Sequence, residues 1–175
     1  MHTLAERLRR EIRNVPDFPK PGIQFKDITT VLKQGPLFRE VADALYAQWS
    51  AERIDKVVAI ESRGFIYGAV LAYRLGAGFV MARKRGKLPA QTVSMEYALE
   101  YGTDTVEIHA DAIQPGERVL VHDDVIATGG TAQATVALVE KMGATVVGCS
   151  FLVELGELRG RDRLSGYRVT SLVTF

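Results

Sequence analysis

The chain has 175 residues, 47% of them hydrophobic and 25% charged, enough for one globular domain that buries roughly 70% of its unfolded surface. Its 22 Lys and Arg nearly cancel its 21 Asp and Glu, so no overall basic field marks a nucleic acid as partner, and any phosphate chemistry must be local. A lone cysteine, Cys149, excludes an internal disulfide, and no apolar stretch approaches the roughly 20 residues that span a bilayer, so the expected setting is the cytoplasm, without a membrane partner.

In chain order, MHTLAERLRR reads as a charged helix and lacks the apolar centre of a secretory signal. Leu37 to Ser50 carries Phe38, Val41, Ala42 and Leu45 at helical spacing after Pro36, a favourable first-turn residue. The short strand KVVAI follows. Ile66, Ala69, Val70 and Tyr73 repeat the helical period up to Gly76, and FVMAR, Phe79 to Arg83, is the next strand, which completes a β-α-β unit. Residues 84–104 form a long polar insertion with little periodicity, and loops of that length are usually functional or mobile. RVLVHD, Arg118 to Asp123, is a further strand, followed by a turn and a helix with Thr135, Leu138, Val139 and Met142 on one face before Gly143. TVVGCSFLV is another buried strand. Val- and Ile-rich strands alternating with helices predict an α/β fold in a single domain, 1–175, with a central, mostly parallel sheet covered by helices and a ligand site at strand C-terminal ends.

The most informative stretch is VLVHDDVIATGGT, Val119 to Thr131. A buried strand delivers two adjacent acids and then a small glycine-containing turn that opens a helix. The amides of Ala127 to Thr131 lie at a helix N-terminus, where unpaired donors and the positive dipole end favour a phosphate monoester. Gly129 and Gly130 permit close approach of the backbone, Thr128 and Thr131 add hydroxyl donors, and Asp123 and Asp124 are acceptors suited to two vicinal hydroxyls. Phosphate plus diol describes a ribose 5-phosphate. No Gly-Lys-Ser/Thr follows and no GxGxxG is present, so the usual nucleoside triphosphate and dinucleotide signatures are missing.

This segment resembles the motif by which type I phosphoribosyltransferases bind 5-phosphoribosyl 1-pyrophosphate (PRPP). Three further segments extend the resemblance, from about Val15 to Gly160, to the adenine phosphoribosyltransferase family. FPKPGIQFKDIT, Phe18 to Thr29, is similar to the hood, about residues 15–30, that covers the base in that family. The resemblance implies that Phe25 stacks on the purine, that main-chain groups of Gln24 and Lys26 pair with its edge, and that Leu155, in VEL, lines the base pocket. ESRGF, Glu61 to Phe65, opens a helix after KVVAI. By resemblance Ser62 and Arg63 hold the pyrophosphate at a turn with a non-proline cis peptide. Glu61, where the family often has Asp, supports either Arg63 or the waters of a metal. RKRGKLP and SMEYALEYGTDTVEIH, Arg83 to His109, look like the mobile catalytic loop, about 84–104. The resemblance gives Glu100 the catalytic role near the purine N7, and gives Lys87 and Arg83 a part in neutralising pyrophosphate, with Arg83 reaching into a neighbouring subunit.

The fold and reaction implied are the type I phosphoribosyltransferase fold and adenine plus PRPP giving AMP and pyrophosphate, in a homodimer, with Mg²⁺ held mainly through PRPP and water. The loop is expected to exclude water when it closes. The alternatives are transfer to another purine base, or a non-catalytic sensor of PRPP or nucleotide on the same fold. His2 and His109 lack metal-ligand partners at usable spacing, and His122 and Cys149 read as packing residues.

Overall fold

Residues 2–98 and 102–175 are described by the computed structural model. The first helix, α1 (Leu4–Glu11), is started by Thr3, whose hydroxyl accepts from the Glu6 amide while the Glu6 carboxylate accepts from the Thr3 amide, so two otherwise orphaned donors are satisfied reciprocally. Two short strands, β1 (Arg13–Pro16) and β2 (Gln24–Asp27), pair antiparallel with Val15 opposite Phe25. The segment expected as a hood is therefore a β-hairpin. Asp17 at its turn sits in the left-handed region and accepts from the Gly22 amide at 2.7 Å.

A short helix, α2 (Thr29–Leu32), leads to α3 (Gly35–Ala47), which has Pro in its first turn and buries Leu37, Val41, Ala42 and Leu45. Then come β3 (Lys56–Ile60), α4 (Gly64–Leu75), β4 (Gly78–Lys84), β5 (Thr92–Ala98), β6 (Thr103–His109), β7 (Arg118–Ile126), α5 (Gly130–Lys141), β8 (Thr145–Glu154) and β9 (Val169–Thr174). Among the described residues these strands form a seven-stranded sheet in the order β5-β6-β4-β3-β7-β8-β9. The run from β4 to β9 is parallel, whereas β6 joins β4 antiparallel and β5 joins β6 antiparallel. Both faces are covered. Val58, Ile60, Val80 and Val121 pack towards α5 on one side, and Val57, Leu120 and Leu152 pack with α1, α3 and α4 on the other. That double burial explains why β3, β7 and β8 read as unbroken apolar runs. Among the described residues no helix is long and apolar enough to cross a membrane.

Three features differ from the sequence reading. The insertion at 84–104 is not irregular: β5 and β6 pair from Thr92 opposite His109 to Ala98 opposite Thr103. In β5, half-buried Val93, Met95 and Tyr97 alternate with exposed Ser94, Glu96 and Ala98, a period of two that a search for helical spacing passes over. The apolar repeat that marks α4 is not its buried face. Gly64, Tyr67, Gly68, Leu71 and Ala72 face the sheet, while Tyr73 is 85% exposed and Ile66 is exposed as well. Gly68 sets that choice, since a Cβ there would stand 2.5 Å from the Ala59 Cβ; only this face lets the helix approach β3. Finally, β7 runs three residues past Asp123, and β9 forms from a segment to which no element had been assigned.

His122 on β7 is fully buried, as a packing role requires, and neither ring nitrogen has a hydrogen-bond partner. Burial holds its pKa down at about 4, against the opposing charge of Asp124. The unfolded chain protonates this imidazole near the ordinary value of about 6.5. Above that pH both states are neutral and the site costs nothing; between about 6.5 and 4 the unfolded state alone takes up the proton, so stability falls with falling pH by about 3 kcal/mol in all. Urea unfolding measured across this range is expected to show that loss, and His122→Leu to flatten it.

Candidate active site

Parallel pairing makes β3 and β7 neighbours, so the two turns that leave their C-terminal ends stand side by side. The turn after β7 runs through Ala127 and Thr128 to Gly129, which adopts φ 80° at the N-cap of α5. Among the described residues no side chain caps this helix, which leaves its first amides open to an incoming group. A cavity of about 90 Å³ is lined by Asp123 and by residues 125–132, and it holds Ala127, Thr128, Gly129, Gly130 and Thr131 together. Its shape is imposed from behind. A Cβ on Gly160 would overlap the Ala127 carbonyl and lie 2.9 Å from the Gly129 nitrogen, and a Cβ on Gly129 would in turn overlap the Gly160 carbonyl. Two glycine backbones are thus in direct contact under the turn.

The adjacent acids have different surroundings. Asp124 is 5% exposed and accepts from Arg63 Nε at 2.6 Å. Burial first, and then the charge of Asp124, push the Asp123 carboxyl well above the usual range; Asp123 Oδ1 accepts from the Asp124 amide at 2.8 Å. The pair therefore does not present two unbalanced charges to the cleft. Close approach of α4 helps to fix it, because a Cβ on Gly64 would lie 2.8 Å from Asp123 Oδ1.

In the turn after β3, the Glu61–Ser62 peptide is cis, as the resemblance implied. Arg63 reaches from this turn to Asp124 and also lies over the Phe25 ring, 4.9 Å from its centroid. A cleft of about 560 Å³ brings Gln24, Phe25, Lys26, Ser62, Arg63, Asp123, Asp124, Ala127 and Leu155 together, with Ile23, Glu61, Lys84 and Val125 completing the wall. Nine of the residues singled out in the sequence thus share one space.

Other assignments fall differently. Arg83 lines an adjoining cavity of about 260 Å³, while Lys87 is exposed and borders neither space. Glu100 lies outside the described residues. Glu61 serves Arg83 rather than Arg63: its carboxylate accepts from Arg83 Nε at 2.9 Å and from the Lys84 amide at 3.1 Å. Arg83 also donates to the Lys87 carbonyl at 3.1 Å, so within this chain it braces the basic turn. Lys84, given no role from sequence, lines both spaces and pairs with Asp104 at 3.0 Å. Its partner lies across the β5–β6 hairpin, and without that hairpin no spacing argument connects the two.

A model of the phosphoribosyl transferase domain matches residues 27–175. The adenine phosphoribosyltransferase of Desulfitobacterium hafniense is 57% identical over 164 residues, 94% of this chain and 95% of the relative. That of Anaeromyxobacter sp. is 57% identical over 175 residues, covering the whole chain and 99% of the relative. Among solved structures, adenine phosphoribosyltransferase from Rhodothermus marinus superposes with a TM-score of 0.95 at 58% identity, covering 98% of each chain. The enzyme from Saccharomyces cerevisiae, complexed with an imino-altritol bisphosphate and adenine, gives 0.90 at 40% identity, covering 97% of this chain and 98% of that one. On these matches and this geometry, the chain belongs to the phosphoribosyltransferases and, within them, to the adenine phosphoribosyltransferase family.

Proposed function

We propose that this chain joins adenine to PRPP, giving AMP and pyrophosphate. The observation that carries the reading is the single cleft in which Phe25 and Leu155, Arg63, and the Asp123–Asp124 pair meet beside the turn at Ala127. An apolar slot, a cation and a diol-binding pair next to an uncapped helix N-terminus match base, pyrophosphate, ribose and 5-phosphate in that order. Relatives support the assignment: the Saccharomyces cerevisiae structure holds adenine, and one from Trypanosoma brucei, 26% identical with a TM-score of 0.89, holds AMP, pyrophosphate and ribose 5-phosphate.

In this reading Phe25 stacks on the purine with Leu155 on the pocket wall, and main-chain groups of Gln24 and Lys26 read its amino edge. The bond from N9 of adenine to the anomeric carbon forms as the bond from that carbon to the pyrophosphate oxygen breaks, through an oxocarbenium-like sugar. Asp123 and Asp124 orient the ribose hydroxyls, and the amides and hydroxyls of Thr128 to Thr131 hold the 5-phosphate. Ser62 and Arg63 receive the departing pyrophosphate, Lys84 faces it from the cleft wall, and Arg83 and Lys87 on the same turn add positive field. Glu100 stabilises positive character at N7. Among the described residues no three His, Cys, Asp or Glu side chains gather as a metal-ligand set. Mg²⁺ would be held mainly through PRPP and water, and would supply charge neutralisation for the leaving pyrophosphate alongside Arg63, Lys84, Arg83 and Lys87. The segment 84–104, folded as a turn and a hairpin, acts as the cover that keeps water out.

The functional unit in this proposal is a homodimer. Ile66 and Tyr73 on α4 and Phe79 and Met81 on β4 are exposed apolar side chains, and Phe79 meets Phe65 edge to face at 6.0 Å. Tyr73 is 85% exposed in the isolated chain, and a second copy would cover it together with these side chains.

Incubation with PRPP, Mg²⁺ and each purine base in turn is expected to yield AMP from adenine and no comparable product from guanine, hypoxanthine or xanthine; nucleotides from an oxopurine at equal rate, or none from adenine, would refute the assignment. Asp124→Asn, which leaves Arg63 without its charged partner, should raise the KM for PRPP about tenfold with a smaller change for adenine, measured by steady-state kinetics. Phe79→Glu is expected to convert a dimer into a monomer in light scattering coupled to size exclusion.

A further inference from the structure

Between the anion cavity and the β5–β6 hairpin, four side chains form a line whose hydrogens have one consistent arrangement. Thr131 Oγ lies 3.2 Å from the Tyr97 hydroxyl, the Tyr97 hydroxyl 3.4 Å from Asp104 Oδ2, and Asp104 Oδ2 3.0 Å from Lys84 Nζ. The Tyr97 ring rests on the first residue of α5, where a Cβ on Gly130 would meet its Cδ2 at 3.6 Å. Burial raises the Tyr97 phenol, which keeps its hydrogen. The Asp104 carboxyl is held below its usual range by Lys84 and the Thr105 amide, although burial acts the other way. An ionised carboxylate only accepts, so the single Tyr97 hydrogen goes to Asp104; the Tyr97 oxygen then accepts, and the single Thr131 hydrogen goes to Tyr97.

A phosphate dianion also only accepts. Its arrival in the cavity claims the Thr131 hydrogen, and the Thr131 to Tyr97 donation ends. The Thr131 oxygen, now donating to an anion, becomes the better acceptor. Both contacts of the Tyr97 hydroxyl are long for a pair of oxygens, the one to Asp104 at 3.4 Å more so than the one to Thr131 at 3.2 Å. We propose that Tyr97 is a positioning residue that couples phosphate occupancy to the hairpin: the phosphate takes the Thr131 hydrogen, Tyr97 turns its own hydrogen to Thr131, and the Asp104–Lys84 pair is released from Tyr97. Lys84 lines the cleft where the pyrophosphate would sit, so filling the 5-phosphate position alters the hydrogen bonding of the acid that holds a cation facing the other end of the same substrate.

This inference rests on the reading that Thr131 contacts the 5-phosphate. Tyr97→Phe keeps the ring on Gly130 and removes the hydroxyl alone. Hydrogen exchange of Thr103 to Glu107 would be followed with and without ribose 5-phosphate, and the Kd of ribose 5-phosphate measured by calorimetry. In the parent chain the ligand is expected to change exchange across that strand. In Tyr97→Phe the unliganded strand should already exchange like the liganded parent and respond no further, with a Kd equal to the parent value or up to about threefold tighter. Thr131→Ser, which keeps the hydroxyl, should retain the parent response. An unaltered exchange response in Tyr97→Phe overturns the coupling, as does a Kd weakened about tenfold, which would make the phenol a direct phosphate ligand. Binding to the parent with no change at Thr103 to Glu107 also overturns the coupling and leaves the site reading standing, whereas failure of the parent to bind ribose 5-phosphate removes the site reading itself.

Discussion

The ion pair between Arg63 and Asp124 joins the turn after β3 to the C-terminal part of β7, the two segments on which the site is built. Asp124 is 5% exposed, and a carboxylate at that depth without its cation would cost about 3–5 kcal/mol. The pair is possible because β3 and β7 are parallel neighbours, so that the residues leaving their C-terminal ends meet across a few ångströms. Arg63 extends the link to a third element by lying over Phe25 of the hood hairpin. One guanidinium thereby links the Phe25 hairpin, the Asp123–Asp124 pair and the turn at Ser62. Counted by formal charge, Lys26, Arg63 and Lys84 face Glu61, Asp123 and Asp124 along the cleft wall, so cations and acids balance before any substrate enters.

Balance inside the cleft contrasts with the basic turn beside it. Glu61 accepts from both Arg83 and the Lys84 amide, the buried Glu107 accepts from the Gly86 amide at 3.0 Å, and Asp104 holds Lys84. Acids thus brace a segment whose own residues are cations. The bracing is local and polar, and most of these groups are partly exposed, so it opens at lower cost than the apolar core beneath.

Much of this architecture can be read from the residues themselves, and what cannot has a common cause. KVVAI, RVLVHD and TVVGCSFLV are apolar without alternation because their strands are covered on both faces, and the Asp-Asp and Gly-Gly pairs stand out because little else needs them. Arg63, Asp123, Asp124 and Ala127 stand out by local chemistry, Gln24, Phe25, Lys26, Ser62 and Leu155 by resemblance to the family, and all nine line one cleft. Lys84 was not legible, since its meaning depends on Asp104 twenty residues away and on a hairpin whose period of two was masked by charged residues. The role of Glu61 was equally hidden, because its partner comes from the next strand. On α4, helical period identified the helix and misdirected its face: Ile66 and Tyr73 carry the apolar signal, but small residues at Gly64 and Gly68 decide which side meets the sheet. Local chemistry is written locally, whereas pairing across strands is settled by the fold.

The contact between Gly129 and Gly160 ties two parts of the molecule that are distant in the chain. The strip that begins at Leu155, on the wall of the proposed base slot, passes within five residues to Gly160 beneath the proposed phosphate turn. Base wall and phosphate floor are therefore parts of one short ribbon, anchored at one end where the Leu155 amide donates to the Ile126 carbonyl. A change of length anywhere in that ribbon would shift both at once. On the proposed reading, an insertion there that widened the slot for a larger base would tilt the phosphate seat, so changes of base preference on this scaffold would come from substitutions that keep the ribbon's length.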